Sequence, residues 1–149
     1  MMNNYDDYLY SINQINSVNP IPNFELNARK EEWVEPYTGF LMGNLSKSLY
    51  DGYKNHKPME INPSNEKDYD LLMVQVYDFA THDLDLYLDN HPNDNEVIRL
   101  REECFNNCKR AKALYESKYG ALDKSSSVLS KTPWNWCNKN WPWECEDNV

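Results

Sequence analysis

The sequence predicts an all-α fold: an antiparallel two-helix hairpin, an irregular N-terminal segment that wraps it, and an extended Trp-rich C-terminal tail. Three observations predict it. Residues 66–119 carry apolar side chains at helical spacing in two separate runs. Between the runs lies Asp89-Asn90-His91-Pro92-Asn93-Asp94, a break so short that the two helices must be antiparallel neighbours. Only 4 glycines among 149 residues leave few of the tight turns that a compact sheet would use.

The first helix is expected over residues 66–89. Ser64 or Asn65 supplies its N-cap, and Pro92 ends it, because the proline ring clashes one turn back and has no N–H. Leu72, Val76, Phe79, Ala80, Leu84, Leu86 and Tyr87 share one broad side of it, widened by Met73, Tyr77 and Leu88. That arc covers roughly 200°, against the ~100° that a helix needs for one neighbour. Gln75, Asp78, His82, Asp85 and Asp89 take the polar side.

The second helix is expected over residues 94–119, opened by Asn93 or Asp94 and closed by Gly120, with Lys112 and Lys118 suiting its C-terminal dipole. Its buried side is read as Val97, Ile98, Leu100, Cys104, Phe105, Cys108, Ala111, Tyr115 and Tyr119. Two charges fall inside the apolar arcs, Asp83 on the first helix and Arg101 on the second. A buried lone charge is costly, so these two are expected to pair across the hairpin. The same counting sets Tyr87 near Val97, Ala80 near Cys104 and Val76 near Cys108.

The flanks divide the chain further. Residues 1–19, rich in Asn, Tyr and Asp without a clear period, read as a mobile leader. Residues 20–63 are broken by Pro20, Pro22, Pro36, Pro58 and Pro63, with turn-rich sequence over 35–44. Trp33, Tyr37, Phe40, Leu41, Leu45 and Leu49 are too few for a core of their own, but they could cover the wide arc of the first helix or a different protein. Residues 64–122 hold the hairpin. Residues 123–149 begin as a Ser-rich connector and end in Pro133-Trp134-Asn135-Trp136-Cys137 and Trp141-Pro142-Trp143-Glu144-Cys145, two Trp-x-Trp units seven residues apart. Trp offers a large apolar face and one N–H, which suits interfaces. Trp134, Trp136, Trp141 and Trp143, with Trp33 and Phe40, are therefore the candidate partner-binding residues.

A formal net charge of -9 argues against nucleic acid or an anionic membrane as partner. No run approaches the ~20 apolar residues of a membrane span. The first residues have neither a basic start nor an apolar stretch, so synthesis in the cytoplasm without the usual export route is expected. No catalytic constellation, glycine-rich phosphate loop or nucleophile elbow is present, and neither enzyme activity nor a cofactor is expected. Asp78 and His82 stand four apart, far short of a metal site. Cys104, Cys108, Cys137 and Cys145 offer the rival reading, a small thiol-based metal-binding or redox protein, but their spacing is not that of a zinc finger or ribbon. Cys104 and Cys108 fall on the buried arc, where cysteine acts as a small hydrophobe. Cys137 and Cys145 are better suited to a disulfide or an intermolecular cross-link.

Several segments resemble a known family. Phe79-Ala80, then Asp83-Leu84-x-Leu86-Tyr87-Leu88-Asp89-x-His91-Pro92-Asn93-Asp94, Tyr115-Glu116-Ser117-Lys118-Tyr119-Gly120-x-Leu122, and the closing Pro133-Trp134-x-Trp136 and Trp141-Pro142-Trp143 are similar to the CotJB family of spore coat proteins. More loosely, residues 20–60, with Trp33, Glu35-Pro36-Tyr37, Gly39, Gly43 and Leu49, resemble the short CotJA coat protein. Met42-Gly43-Asn44 and Lys47-Ser48 replace the Arg-Gly-Thr and Phe-Pro pieces of that pattern. The resemblance implies a natural fusion of two coat components, made in the mother-cell cytoplasm and placed in the inner layers of the spore coat. It implies other coat proteins as partners, a manganese-catalase-like coat protein among them, and no catalytic residues. The excess of apolar surface over what two helices can hide also makes self-association an expected property.

Overall fold

The computed structural model describes residues 32–52, 54–55 and 58–138, which contain three α-helices and no strand. The expected leader at 1–19, and residues 20–31 after it, lie outside the described residues. Helix α1 is Pro36–Met42, α2 is Glu66–Asn90 and α3 is Asn95–Tyr119. Local chemistry sets the ends of both long helices. The Asn65 side chain accepts from the Asp68 N–H at 2.9 Å. The Asp94 carboxylate accepts from the N–H groups of Glu96 and Val97, both at 3.2 Å. Each occupies donors that the first helical turn leaves open. Gly120, at φ 90°, ends α3 with its N–H on the Glu116 carbonyl.

Lys118, at the end of α3, reaches Glu66 and Asp70 at the start of α2, so the two long helices run antiparallel. Ala80 and Cys104 share one apolar cluster with Leu84, Val97 and Leu100. Val76 sits in a second cluster with Leu72, Met73 and Tyr77, against which Cys108 and Ala111 pack.

The segment before the hairpin forms a closed loop around α1. Residues 35–44, turn-rich by composition, are mostly helix. Pro36 stands at the first helical position and Gly43, at φ 81°, just past the last, and these residues punctuate a short helix as readily as a turn. Trp33 and Ser46 form an antiparallel bridge, with Val34 N–H on Leu45 O and Lys47 N–H on Glu32 O, both at 2.9 Å. A methyl group at Gly39 would collide with the Leu45 side chain and lie 3.3 Å from its Cα, so glycine is needed where α1 crosses the returning strand of chain.

This loop seats Trp33, Val34 and Leu45 in the first cluster, and Tyr37 in the second with Phe40 and Leu41 at its margin. The wide arc of α2 therefore has two covers inside the chain, α3 and residues 33–46. Three residues read as buried are instead exposed: Leu86 (52%), Ile98 (40%) and Phe105 (39%). Ile98 and Phe105 each follow a fully buried residue, Val97 or Cys104, by one position, a rotation of about 100° that carries them past the edge of the contact.

Beyond α3 the chain is fastened rather than free. The Glu116 carboxylate accepts from Leu122 N–H at 3.0 Å, Lys112 pairs with Asp123, and the Ser126 hydroxyl caps a short 3-10 turn, Ser127–Ser130, that buries Leu129. A second such turn spans Asn135–Asn138.

Candidate functional site

The six residues expected to bind a partner part company in the structure. Trp33 is core, not surface. Its ring meets Tyr87 edge-on at 5.0 Å between centroids and 89° between planes, and it is 96% buried when its 4% exposure is subtracted from the whole. The hairpin itself supplies the aromatic seat that a partner was expected to supply. Phe40 is half-buried, edge-on to Phe79 at 5.7 Å. Trp134 remains open to solvent, 53% exposed, and Trp136 is half-buried on the last 3-10 turn. Trp141, Trp143 and Cys145 lie outside the described residues.

The expected Asp83–Arg101 pair is replaced by another. Arg101 donates from Nε and Nη2 to the two carboxylate oxygens of Asp85, at 2.7 and 3.2 Å. This fork-to-fork geometry, led by the hydrogen bond to Asp85, raises the guanidinium further above its ordinary value. Asp83 instead accepts the Leu45 backbone N–H at 2.9 Å. Two positions separate Asp83 from Asp85, a rotation of about 200°, so the two carboxylates leave α2 on opposite flanks. One flank meets α3 and the other meets the wrapping loop. Sequence counting put the right heights together but could not tell the flanks apart, because the loop's need for an acceptor at Leu45 has no sequence signature.

Two further charged groups escaped the sequence reading. Asp70 is buried, and with Glu66 it receives Lys118 at 2.8 and 2.7 Å, closing the open end of the hairpin. These hydrogen bonds, Asp70's first, raise the Lys118 ammonium above its ordinary value. Glu116 is buried as the acceptor for Leu122 described above. At the turn end, His91 stacks on Tyr87 at 4.1 Å with 10° between planes, and Tyr87 Oη donates to Asp94 at 3.4 Å.

The helix cysteines are placed for packing. Burial pushes the Cys104 thiol up to about 12, and burial also raises Cys108, which is half-buried with Sγ 3.9 Å from Asp78. A metal ligand must be a thiolate, and these surroundings disfavour one. Among the described residues no group of three or more His, Cys, Asp or Glu is placed to hold a metal ion, and no helix is long and apolar enough to cross a membrane. Native Cys104 is expected to resist alkylation near neutral pH and to react only in unfolded chain, as mass spectrometry of native and urea-treated samples would show. The sign of the pH effect follows. Cys104 and Tyr77, the latter also pushed up to about 12 by burial, are uncharged when protonated and hold their protons more tightly in the folded chain. Their contribution to stability is complete below the ordinary thiol value of 9.0 and is lost as pH rises toward about 12.

Large apolar side chains left facing solvent include Trp134 beyond the hairpin, Leu86 on α2, and Ile98, Phe105 and Leu114 along α3. Arg101 and Lys109 stand over the Phe105 ring, 4.8 and 5.3 Å from its centroid. No curated protein and no solved structure matches the chain. A family model described as CotJB protein matches residues 69–144, half of the chain, and does not reach the CotJA-like segment. The match takes in nearly all of the hairpin, its Pro92 turn, the fastened turns after α3 and the Trp-Pro-Trp motif, and the chain belongs to the CotJB family of spore coat proteins.

Proposed function

We propose that the protein is an assembly component of the spore coat, binding other coat proteins through its helical hairpin and Trp-rich tail. The partner of choice is a manganese-catalase-like coat protein, the site of action the inner coat layers, and the site of synthesis the mother-cell cytoplasm. On this reading the CotJA-like segment is a second coat-protein piece joined to the first. Its side chains pack on the hairpin, which suits two components that act together.

The observation that carries the reading is Trp134, a large ring left 53% exposed on a chain segment that is itself tied to α3. An indole in that position loses apolar contact with water when a partner covers it, and Trp is enriched at the centres of interfaces for that reason. Trp136, Trp141 and Trp143 would extend the same contact. The test is capture from extracts of sporulating cells, using the full chain and a chain lacking residues 133–149. The shortened chain is expected to keep its helical circular-dichroism signal and lose most of the captured coat protein. Undiminished capture, or collapse of the helical signal, would overturn the assignment of binding to the tail.

A further inference from the structure

One face of the hairpin is left uncovered by the wrapping loop. On α2 it carries Asp78, His82, Asp85 and Asp89, and on α3 Ile98, Arg101, Phe105 and Lys109. Spacings of three and four residues keep each set on one stripe of its helix. The stripes lie side by side, because Arg101 clasps Asp85 and Cys108 approaches Asp78. Toward the open end the face is closed where Asp123 holds Lys112.

The two stripes are complementary in charge. The α2 stripe is acidic. The α3 stripe has two cations and two apolar side chains, each about two-fifths exposed. Among the described residues, Asp85 and Arg101 are the one pair matched between the two stripes. Among the described residues Lys109 meets the Phe105 ring alone, and Asp89 meets no cation.

We propose that this face is an isologous interface with a second copy of the chain, pairing the acidic stripe of each copy with the Ile98–Phe105 stripe of the other. Two faces of this kind can meet about a twofold axis in two ways. An axis across the helices sets acid against acid and cation against cation. An axis along the helices sets acid against cation, and charge selects it. Both hairpin turns then lie at the same end of a four-helix arrangement. Residues level within one hairpin are level across the axis, so Lys109 meets Asp78 of the second copy, and the Phe105 ring meets the His82 side chain there. Burying Ile98 and Phe105 supplies the apolar centre that charge alone would lack.

Sedimentation equilibrium of the full chain over a concentration series tests this. The chain is expected to be a dimer. Phe105→Glu is expected to weaken it at least about 100-fold, as for a central interface residue, with the helical signal unchanged. Lys109→Glu and Asp78→Lys are each expected to weaken it about tenfold, in line with lost charge complementarity. The double variant Asp78→Lys/Lys109→Glu is expected to recover most of the loss. A chain that stays monomeric, a dimer indifferent to Phe105→Glu, or a dimer strengthened by Asp78→Lys alone would overturn the proposal; the last would signal the crossed axis. A monomer that still captures coat protein leaves the proposed function standing and removes only this interface.

Discussion

Trp33→Ala is expected to destabilise the protein by about 3–5 kcal/mol, the range for emptying a buried aromatic site. Trp33 is 4% exposed and lies among Val34 and Leu45 of its own loop, Ala80 and Leu84 of α2, and Val97, Leu100 and Cys104 of α3. Its removal opens a cavity where all three elements meet. The wrapping loop is held to the hairpin by Trp33, Val34, Leu45 and Tyr37, and by the charge-assisted bond from Leu45 N–H to Asp83. Losing the largest of these loosens the others. Urea unfolding followed by far-ultraviolet circular dichroism reads the loss directly. Trp33→Phe serves as the control. It keeps a ring against Tyr87 and removes an indole N–H that is buried without a hydrogen-bond partner among the described residues. It is expected to cost much less than alanine. A loss below about 1 kcal/mol for Trp33→Ala, within the range of ordinary substitutions, would show the loop to be a passive cover.

The second large effect is expected at Leu84, which has no exposed surface at all. Leu84→Ala removes a side chain enclosed by α3 on one side and the wrapping loop on the other, so neither can collapse into the space without leaving the other. A cost of about 2–5 kcal/mol follows. Leu86, two positions on, is 52% exposed, and Leu86→Ala is expected to stay within about 0.5 kcal/mol. The pair is a sharp comparison, since both residues are leucines on one helix and both belong to the apolar arc that the sequence displays. Equal losses at the two positions would show that burial between α3 and the wrapping loop does not set the cost at Leu84.

The helices were legible because their ends are written in local chemistry. Asn65, Asp94, Pro92 and Gly120 need only their immediate neighbours to act, and the structure places the long helices within a residue of where those signals put them. Packing partners were less legible. Asp83 and Asp85 are equally acidic and lie at similar heights, and what separates them is a loop some forty residues away in sequence that lacks an acceptor at Leu45. Trp33 was misassigned for a related reason. An aromatic residue in a Pro-broken segment has the same appearance whether its seat is in the same chain or another. Phe105 and Ile98 erred the other way, since periodicity marks a broad apolar side but not where contact stops. Trp134 stands out in the sequence through its Trp-x-Trp motif, and the structure leaves it exposed. The acidic stripe of α2 was readable from periodicity, but its place beside Ile98 and Phe105 was not, because that rests on Arg101 reaching Asp85 across the hairpin.

The wrapping loop also separates kinship from foldability. The family match begins at residue 69, yet residues that precede it fill the seat between the two long helices and supply the Asn65 cap. A recombinant fragment trimmed to the recognisable stretch would start life with Leu84, Val97 and Leu100 wetted and its first helix unsealed. Any shorter version meant for crystallisation or binding work should therefore begin no later than Glu32, ahead of the first bond that closes the loop.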